Sequence, residues 1–78
     1  MTLTLRELRE RANLPQHEVA AACNVTQAAV SRWESGEYPV PRKYWRFCRS
    51  LYRVTDDELN DAINETMKKG REDHDRNS

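Results

Sequence analysis

The sequence predicts an all-α domain folded as a compact five-helix bundle, and three observations support this. Apolar residues recur three and four positions apart in five separate segments, which is the spacing of a helix with one buried face. Residues that start or stop helices stand between these segments. Glycine and proline are scarce, two and three among 78 residues, and a third of the residues are charged. That composition suits one small helical domain with a modest core.

The first helix is predicted over residues 4–12. Thr4 and Glu7 have the spacing of a capping box, in which each side chain accepts a hydrogen bond from the other residue's backbone N–H group. Leu5 and Leu8 lie on one helical face and are expected to be buried. Most of the charged residues in this helix are expected to form a solvated face with weak pairs.

The central segment, residues 16–34, is predicted to form two short helices joined by a tight turn. Asn24 stands where the chain must reverse, and asparagine tolerates the left-handed region better than most residues. Thr26 is placed to cap the second helix, and Val30 and Trp33 are expected to be buried. The outer face that remains is small or polar, as expected of a helix that enters the major groove of a duplex. Its residues are Gln27, Ala28, Ser31 and Arg32.

This segment resembles the helix-turn-helix of the lambda-type Cro and phage-repressor class. The matching residues are Gln16, Val19-Ala20, Val25-Thr26-Gln27 and the run Val30, Trp33, Glu34 and Gly36. The resemblance extends over about residues 3–62. Two positions depart from the pattern: Asn24 stands where the class usually has glycine, and Pro15 stands where it usually has a serine or threonine cap.

The resemblance implies roles for individual residues. Arg9 is expected to pair with Glu34 and so to tie the first helix to the end of the third. Gln27 is expected to read adenine through both atoms of its amide, and Arg32 to bind either a guanine or a phosphate. The candidate base-reading residues are Gln27, Ala28, Ser31 and Arg32. The candidate contacts to the DNA backbone are Gln16, Thr26, Tyr38, Arg42 and Lys43.

The fourth helix is predicted over residues 42–53, with Pro41 in its first turn. Its apolar stripe is wider than one core face needs. Two interpretations stay open: a core of large side chains, or a surface that contacts a second copy of the chain. The arginines late in this helix are expected to pair with the acidic residues that follow. The candidate dimer contacts of the fourth and fifth helices are Tyr44, Trp45, Phe47, Ile63 and Met67.

The fifth helix is predicted to begin after Thr55, which has Glu58 three residues on and acidic residues in the first turn. Gly70 is expected to end it after a basic last turn. The remaining segment is wholly polar. We therefore expect residues 1–70 to form the folded domain and residues 71–78 to form a disordered tail.

The net charge of zero conceals an asymmetry along the chain. Residues 1–53 carry nine Arg and Lys against five Asp and Glu, whereas residues 54–78 carry four against eight. A basic body can attract a polyanion whatever the total charge. The loop after the third helix is an exception, because it offers Glu37 and Tyr38 where the resembled class often has basic residues.

Other features limit the classes of function. Cys23 and Cys48 lie in apolar patterns and are expected to be buried free thiols. No apolar segment follows Met1, and the longest apolar run, residues 19–23, is too short to cross a bilayer, so we expect a cytoplasmic protein without membrane contact. His17 has no partner at metal-ligand spacing, and we find no nucleophile–base pair or phosphate loop. We expect no metal, no cofactor and no enzymatic activity.

The sequence therefore predicts a small transcriptional regulator, expected to be a repressor, that binds double-stranded DNA as a homodimer with its third helix in the major groove. The alternative is a protein-interaction module such as an antitoxin. Such a module would bind a partner protein and use DNA binding for autoregulation.

Overall fold

Five α-helices make up the fold in the part of the chain that the computed structural model describes, residues 2–76. They are α1, Leu5–Arg11; α2, Gln16–Cys23; α3, Gln27–Ser35; α4, Trp45–Tyr52; and α5, Asp56–Arg76. A 3-10 turn, Arg42–Tyr44, leads into α4. These residues include no strand, so the predicted all-α fold of five helices is confirmed.

The core forms where the helices meet. Val19 of α2 and Leu59 of α5 are fully enclosed. Trp33 of α3, only 6% exposed, is the largest buried side chain, and its ring lies 5.4 Å from that of Tyr44, centroid to centroid. Burying an aromatic ring of this size contributes more to the stability of the core than burying any aliphatic neighbour. The buried apolar residues are Leu5, Leu8, Val19, Ala20, Cys23, Val30, Trp33, Val40, Cys48, Tyr52, Leu59, Ala62 and Ile63.

The predicted caps of α1 and α5 are both present. The Thr4 hydroxyl accepts a hydrogen bond from the Glu7 backbone N–H at 3.2 Å, and the Glu7 carboxylate accepts one from the Thr4 backbone N–H at 2.8 Å. Thr55 and Glu58 make the same reciprocal pair at 3.2 and 3.0 Å. These hydrogen bonds lower the pKa of both carboxyl groups, with the bond from the threonine backbone as the largest cause.

The turn between α2 and α3 also has the predicted form. Asn24 adopts the left-handed conformation, with φ 57° and ψ 46°, and ends α2. The Val25 backbone N–H then donates to the Ala20 carbonyl at 3.0 Å, which satisfies one of the last free carbonyls of α2. Thr26 caps α3 by accepting from the Ala29 backbone N–H at 3.1 Å. Pro15 precedes α2 without a side-chain cap, as expected.

The predicted fourth helix differs at both ends. Its first turn is a 3-10 turn, in which the Tyr44 backbone N–H donates to the Pro41 carbonyl at 3.0 Å, so the α-helix begins only at Trp45. At the other end Arg53 has φ 54° and lies outside the helix. The Val54 backbone N–H donates back to the Arg49 carbonyl at 3.2 Å and closes the turn. A hydrogen-bonded closure of this kind holds Arg53 in a conformation that usually favours glycine.

The prediction that Gly70 ends the fifth helix is wrong, because α5 continues through it to Arg76. The expected disordered tail is therefore helical in its backbone as far as Arg76, and residues 77 and 78 lie outside the described residues. Gly70 is explained by packing instead. A Cβ atom at this position would lie 2.6 Å from the Ser35 carbonyl oxygen and 3.0 Å from the Gly36 Cα atom. Glycine lets the backbones of α5 and the end of α3 come into contact.

One of the predicted dimer contacts is also wrong. Ile63 is 4% exposed and belongs to the core of the domain, so almost none of its side chain is available to a second copy. Tyr44, Trp45, Phe47 and Met67 are half-buried and pack against that core. This supports the interpretation of the wide stripe as a core of large side chains, and a dimer role for these four residues stays a prediction.

Candidate nucleic-acid interface

The outer face of α3 is open to solvent. The four residues predicted to lie on it, Gln27, Ala28, Ser31 and Arg32, are all exposed, and so is the Thr26 cap. On the opposite side of the helix, Val30 is 1% exposed and Trp33 is 6% exposed. The helix is thus held by its apolar side, and its polar side is presented outward from the Thr26 cap onward.

Behind this face, a chain of hydrogen bonds connects α1, α2 and α3. The Arg9 guanidinium donates to Glu34 through two nitrogens, Nε at 2.6 Å and Nη2 at 3.1 Å. The Gln16 amide donates to the same carboxylate at 3.0 Å, and the Gln27 amide donates to the Gln16 amide oxygen at 3.4 Å. The expected pair of Arg9 and Glu34 is therefore confirmed, and Gln16 extends it to the exposed amide of Gln27.

The Arg9–Glu34 ion pair, where this series of hydrogen bonds begins, is well shielded from solvent. The Arg9 and Glu34 side chains are 13% and 6% exposed, and the remaining Arg9 nitrogen, Nη1, donates to the Leu14 carbonyl at 2.9 Å. The hydrogen bond with Glu34 raises the pKa of Arg9 above its already high value, against the effect of burial. A bidentate pair of this kind fixes both side chains in position. It fixes Gln16 as well, since that amide donates to the same carboxylate.

A cleft lies between α1, the start of α2 and α3, and the residues of this hydrogen-bond series line it. It includes four of the residues already described: Arg9, Gln16, Gln27 and Glu34. It also includes Arg6, which was predicted to lie on a solvated face, and His17, which was predicted not to bind a metal. Arg6 lies three residues before Arg9, so both share one face of α1. The spacing of Arg6 from Arg9 could have predicted that Arg6 lines this cleft. For His17 the only indication in the sequence was its position next to Gln16.

The loop after α3 is held in place by Trp45. The indole N–H donates to the Val40 carbonyl at 2.9 Å, and Val40 itself is 4% exposed. The Arg42 guanidinium lies 4.3 Å from the centroid of the Trp45 ring, a cation–π contact. Lys43 lies 5.1 Å from the centroid of the Tyr44 ring. Trp45, a candidate dimer contact by sequence, thus orders the loop and one of its cations within the same chain.

The loop exposes both attractive and repulsive groups. Tyr38 is 53% exposed, and Arg42 and Lys43 are exposed as well, so the three predicted backbone contacts in this region are accessible. Glu37 lies 3.8 Å from Arg32, and both side chains are more than half exposed. The pair is weak because solvent screens it. It nevertheless places a negative charge next to a candidate base-reading residue.

A family model described as a helix-turn-helix domain matches residues 1–62. The chain belongs to the helix-turn-helix domain family. The match includes α1, α2, α3, the loop that Trp45 holds in place, α4 and the first part of α5. Comparison with curated proteins and with solved structures found no significant match.

Membership in this family confirms the helix-turn-helix predicted for residues 16–34, and it supports DNA binding as the general activity of the domain. The narrower resemblance to the lambda-type Cro and repressor class stays a prediction. Among residues 2–76 no helix is both long and apolar enough to span a bilayer. The described side chains include no group of three or more His, Cys, Asp and Glu residues arranged to hold a metal ion.

Proposed function

We propose that this domain binds double-stranded DNA sequence-specifically, with α3 in the major groove, and that it regulates transcription, most simply as a repressor. The observation that carries the proposal is the exposed polar face of α3, fixed from behind by hydrogen bonds. Gln27 is the residue best placed to read a base, because the contact with Gln16 uses one amide hydrogen at 3.4 Å. The other amide hydrogen and the amide oxygen remain available for N7 and N6 of an adenine.

The residues around Gln27 have complementary roles in this proposal. Ala28 contacts a thymine methyl group, Ser31 accepts or donates to a base edge, and Arg32 binds a guanine or a phosphate. Gln16 and Thr26 contact phosphates at the start of their helices, where free N–H groups and the helix dipole favour an anion. Tyr38, Arg42 and Lys43 contact the backbone from the loop after α3.

We further propose that the active form is a homodimer on a two-fold operator, because one small domain makes few base contacts. Tyr44, Trp45, Phe47 and Met67 remain candidate contacts, since each is only half-buried within one copy. No catalytic activity, cofactor or metal is part of the proposal, and a cytoplasmic location stays a prediction.

The alternative of a protein-interaction module has less support from the contacts. The acidic first turn of α5 is the natural docking site for a basic partner. Within it, the Glu58 carboxylate accepts from Thr55, and Asp56 lies 3.2 Å from Arg49. Two of the three acids are therefore engaged within the domain. A toxin-like partner that copurifies with the chain and displaces DNA would favour this alternative.

The test is selection of bound fragments from random duplex DNA, repeated with Gln27→Ala. We expect the natural chain to select a two-fold sequence, and the variant to lose preference at one base pair in each half-site, by about 1–3 kcal/mol. Asn60→Ala is the matched control, since Asn60 also carries an exposed amide but lies on α5. An unchanged selected site for Gln27→Ala would remove Gln27 from base reading.

A further inference from the structure

We propose that the far end of α5 is a second DNA-contacting surface, in which Lys69 and Arg71 bind phosphates beside the C-terminal end of α3. We call these two residues the α5 flank. This inference rests on the proposed DNA binding and extends its contact surface beyond the matched helix-turn-helix domain. The family match ends at residue 62, so the α5 flank lies outside it.

The first argument is the close contact between α5 and the end of α3. Gly36 ends α3 in the left-handed conformation, with φ 80°. A Cβ atom on it would lie 2.6 Å from the Thr66 carbonyl oxygen and 3.1 Å from the Gly70 Cα atom. A Cβ atom on Gly70 would in turn meet the Ser35 carbonyl at 2.6 Å. The two backbones therefore touch, and the side chains on either side of Gly70 are carried to the end of α3.

Thr66 fixes α5 in this position from the other side. Its hydroxyl donates to the Ala62 carbonyl at 2.7 Å and accepts from the Leu5 backbone N–H at 2.9 Å, and the residue is 3% exposed. This joins α5 to the start of α1. The α5 flank is thus held against two helices of the matched domain, one of which is α3.

The two cations line separate clefts on either side of the contact. Arg71 lines a cleft with Glu37 and the Ser35–Gly36 backbone, on the side of the loop after α3. Lys69 lines a cleft with Arg6, Glu34 and Ser35, on the side of α1. A helix in the major groove is bounded by a phosphate strand on each side. Cations that flank the end of such a helix are positioned to meet those strands.

The α5 flank also compensates for a deficit in the loop. Residues 36–41 contain no Lys or Arg, and they place Glu37 next to the predicted DNA surface. Arg71, which lines the same cleft as Glu37, offsets that negative charge. Without the α5 flank, the phosphate strand at this end of α3 would meet the Glu37 carboxylate, which lies 3.8 Å from Arg32, and the loop itself would supply no cation before Arg42.

The test uses the full chain and a mixed-sequence duplex of about 30 base pairs, longer than two half-sites one helical turn apart. Binding is measured by fluorescence anisotropy between about 50 and 200 mM salt for the natural chain, Lys69→Gln, Arg71→Gln and the double variant. Lys68→Gln is the matched control, because Lys68 is exposed in the same turn but lines neither cleft. Circular dichroism verifies that each variant keeps its helix content.

For each bound copy of the chain, we expect each flank substitution to make the salt slope shallower by about 0.9 and to weaken binding by roughly tenfold at about 0.1 M salt, so a bound homodimer should lose about 1.8 in slope. The double variant should lose about twice the slope, while Lys68→Gln keeps both slope and affinity. If the double variant keeps the full salt-sensitive binding of the natural chain, the α5 flank does not contact DNA, and the proposed function still stands. An equal loss in Lys68→Gln would also overturn it, since net charge alone would explain the effect. If the natural chain shows no salt-sensitive binding, the proposed function fails, and the α5 flank fails with it.

Discussion

The Arg9–Glu34 pair is the connection on which the arrangement of α1, α2 and α3 depends, and Arg9→Met removes it while keeping most of the side-chain length. In the variant, the carboxylate of Glu34, whose side chain is 6% exposed, keeps only the neutral amide of Gln16 as a donor, at 3.0 Å. An uncompensated buried charge of this kind costs about 3–5 kcal/mol. The Leu14 carbonyl loses its donor as well.

That cost is large for a domain of this size. A chain of 78 residues is expected to unfold with about 4–12 kcal/mol in total, at about 0.05–0.15 kcal/mol per residue. At about 4–8 °C per kcal/mol, the midpoint of thermal unfolding should fall by at least about 12 °C. Urea and thermal denaturation followed by circular dichroism measure both quantities.

Two comparisons isolate the pair from general effects of substitution. Glu10→Gln breaks the contact between Arg6 and Glu10, which is 3.8 Å long and joins side chains 68% and 56% exposed, and it should cost less than about 1 kcal/mol. The double variant Arg9→Met with Glu34→Gln should be less destabilised than the two single effects added together, because it leaves no unpaired charge. The reasoning is refuted if Arg9→Met stays within about 1 kcal/mol of the natural chain, or if the two effects simply add.

Three further predictions address the loop and the core. Glu37→Gln should strengthen binding to a mixed-sequence duplex by about 2- to 10-fold, because it removes a repulsive charge and releases Arg32 from a 3.8 Å contact; weaker or unchanged binding in an anisotropy titration would contradict this. Trp45→Phe keeps an aromatic ring but removes the indole N–H that donates at 2.9 Å to the carbonyl of buried Val40. We expect the free energy of unfolding in urea to fall by about 1–3 kcal/mol; an unchanged midpoint would contradict the anchoring of the loop by Trp45. Burial raises the pKa of the Cys48 thiol to about 12, so the unfolded chain releases this proton first, from about pH 8.5. The contribution of this thiol to the free energy of unfolding should therefore be constant below about pH 8 and should fall as the pH rises towards 10. If a Cys48→Ala variant keeps the same alkaline slope, the slope arises from another group.

Local signals in the sequence were enough to predict most of the framework. The caps at Thr4, Thr26 and Thr55, and the left-handed turn at Asn24, each depend on residues within four positions of one another. Those features can be read from spacing because the hydrogen bonds that define them close within one helical turn. The pairing of Arg9 with Glu34 spans 25 positions, and it came from the family resemblance rather than from spacing.

The parts that the sequence analysis missed depend on contacts between distant segments. Gly70 has the features of a helix stop, and only its contact with Gly36, 34 positions earlier, explains why the helix continues through it. Ile63 fits both a core and a dimer contact until the packing of α5 is known. Trp45 fits an exposed stripe until its indole N–H is found on the Val40 carbonyl. In each case the residue type was compatible with two environments, and the three-dimensional packing selected one.

The same difference between local spacing and contacts across distant segments applies to the candidate nucleic-acid interface. The exposure of α3 residues followed from helical period alone, since buried Val30 and Trp33 fix which side faces the core. The support behind that face did not follow from period. Gln16 reaches Glu34 across 18 positions, and Gln27 reaches Gln16 across 11. The sequence could therefore predict which residues face outward, but not how their side chains are oriented before a ligand binds.

The most direct test of the central claim is an NMR titration of the isotope-labelled chain with a duplex obtained by selection. If DNA covers the polar face of α3, the largest changes in amide chemical shift will fall on residues 26–32 and on Gln16, and the exposed Asn60 and Asn64 of α5 will change little. If the residues of α3 keep their shifts while another surface changes, α3 is not the helix that meets the duplex, and the central claim is contradicted.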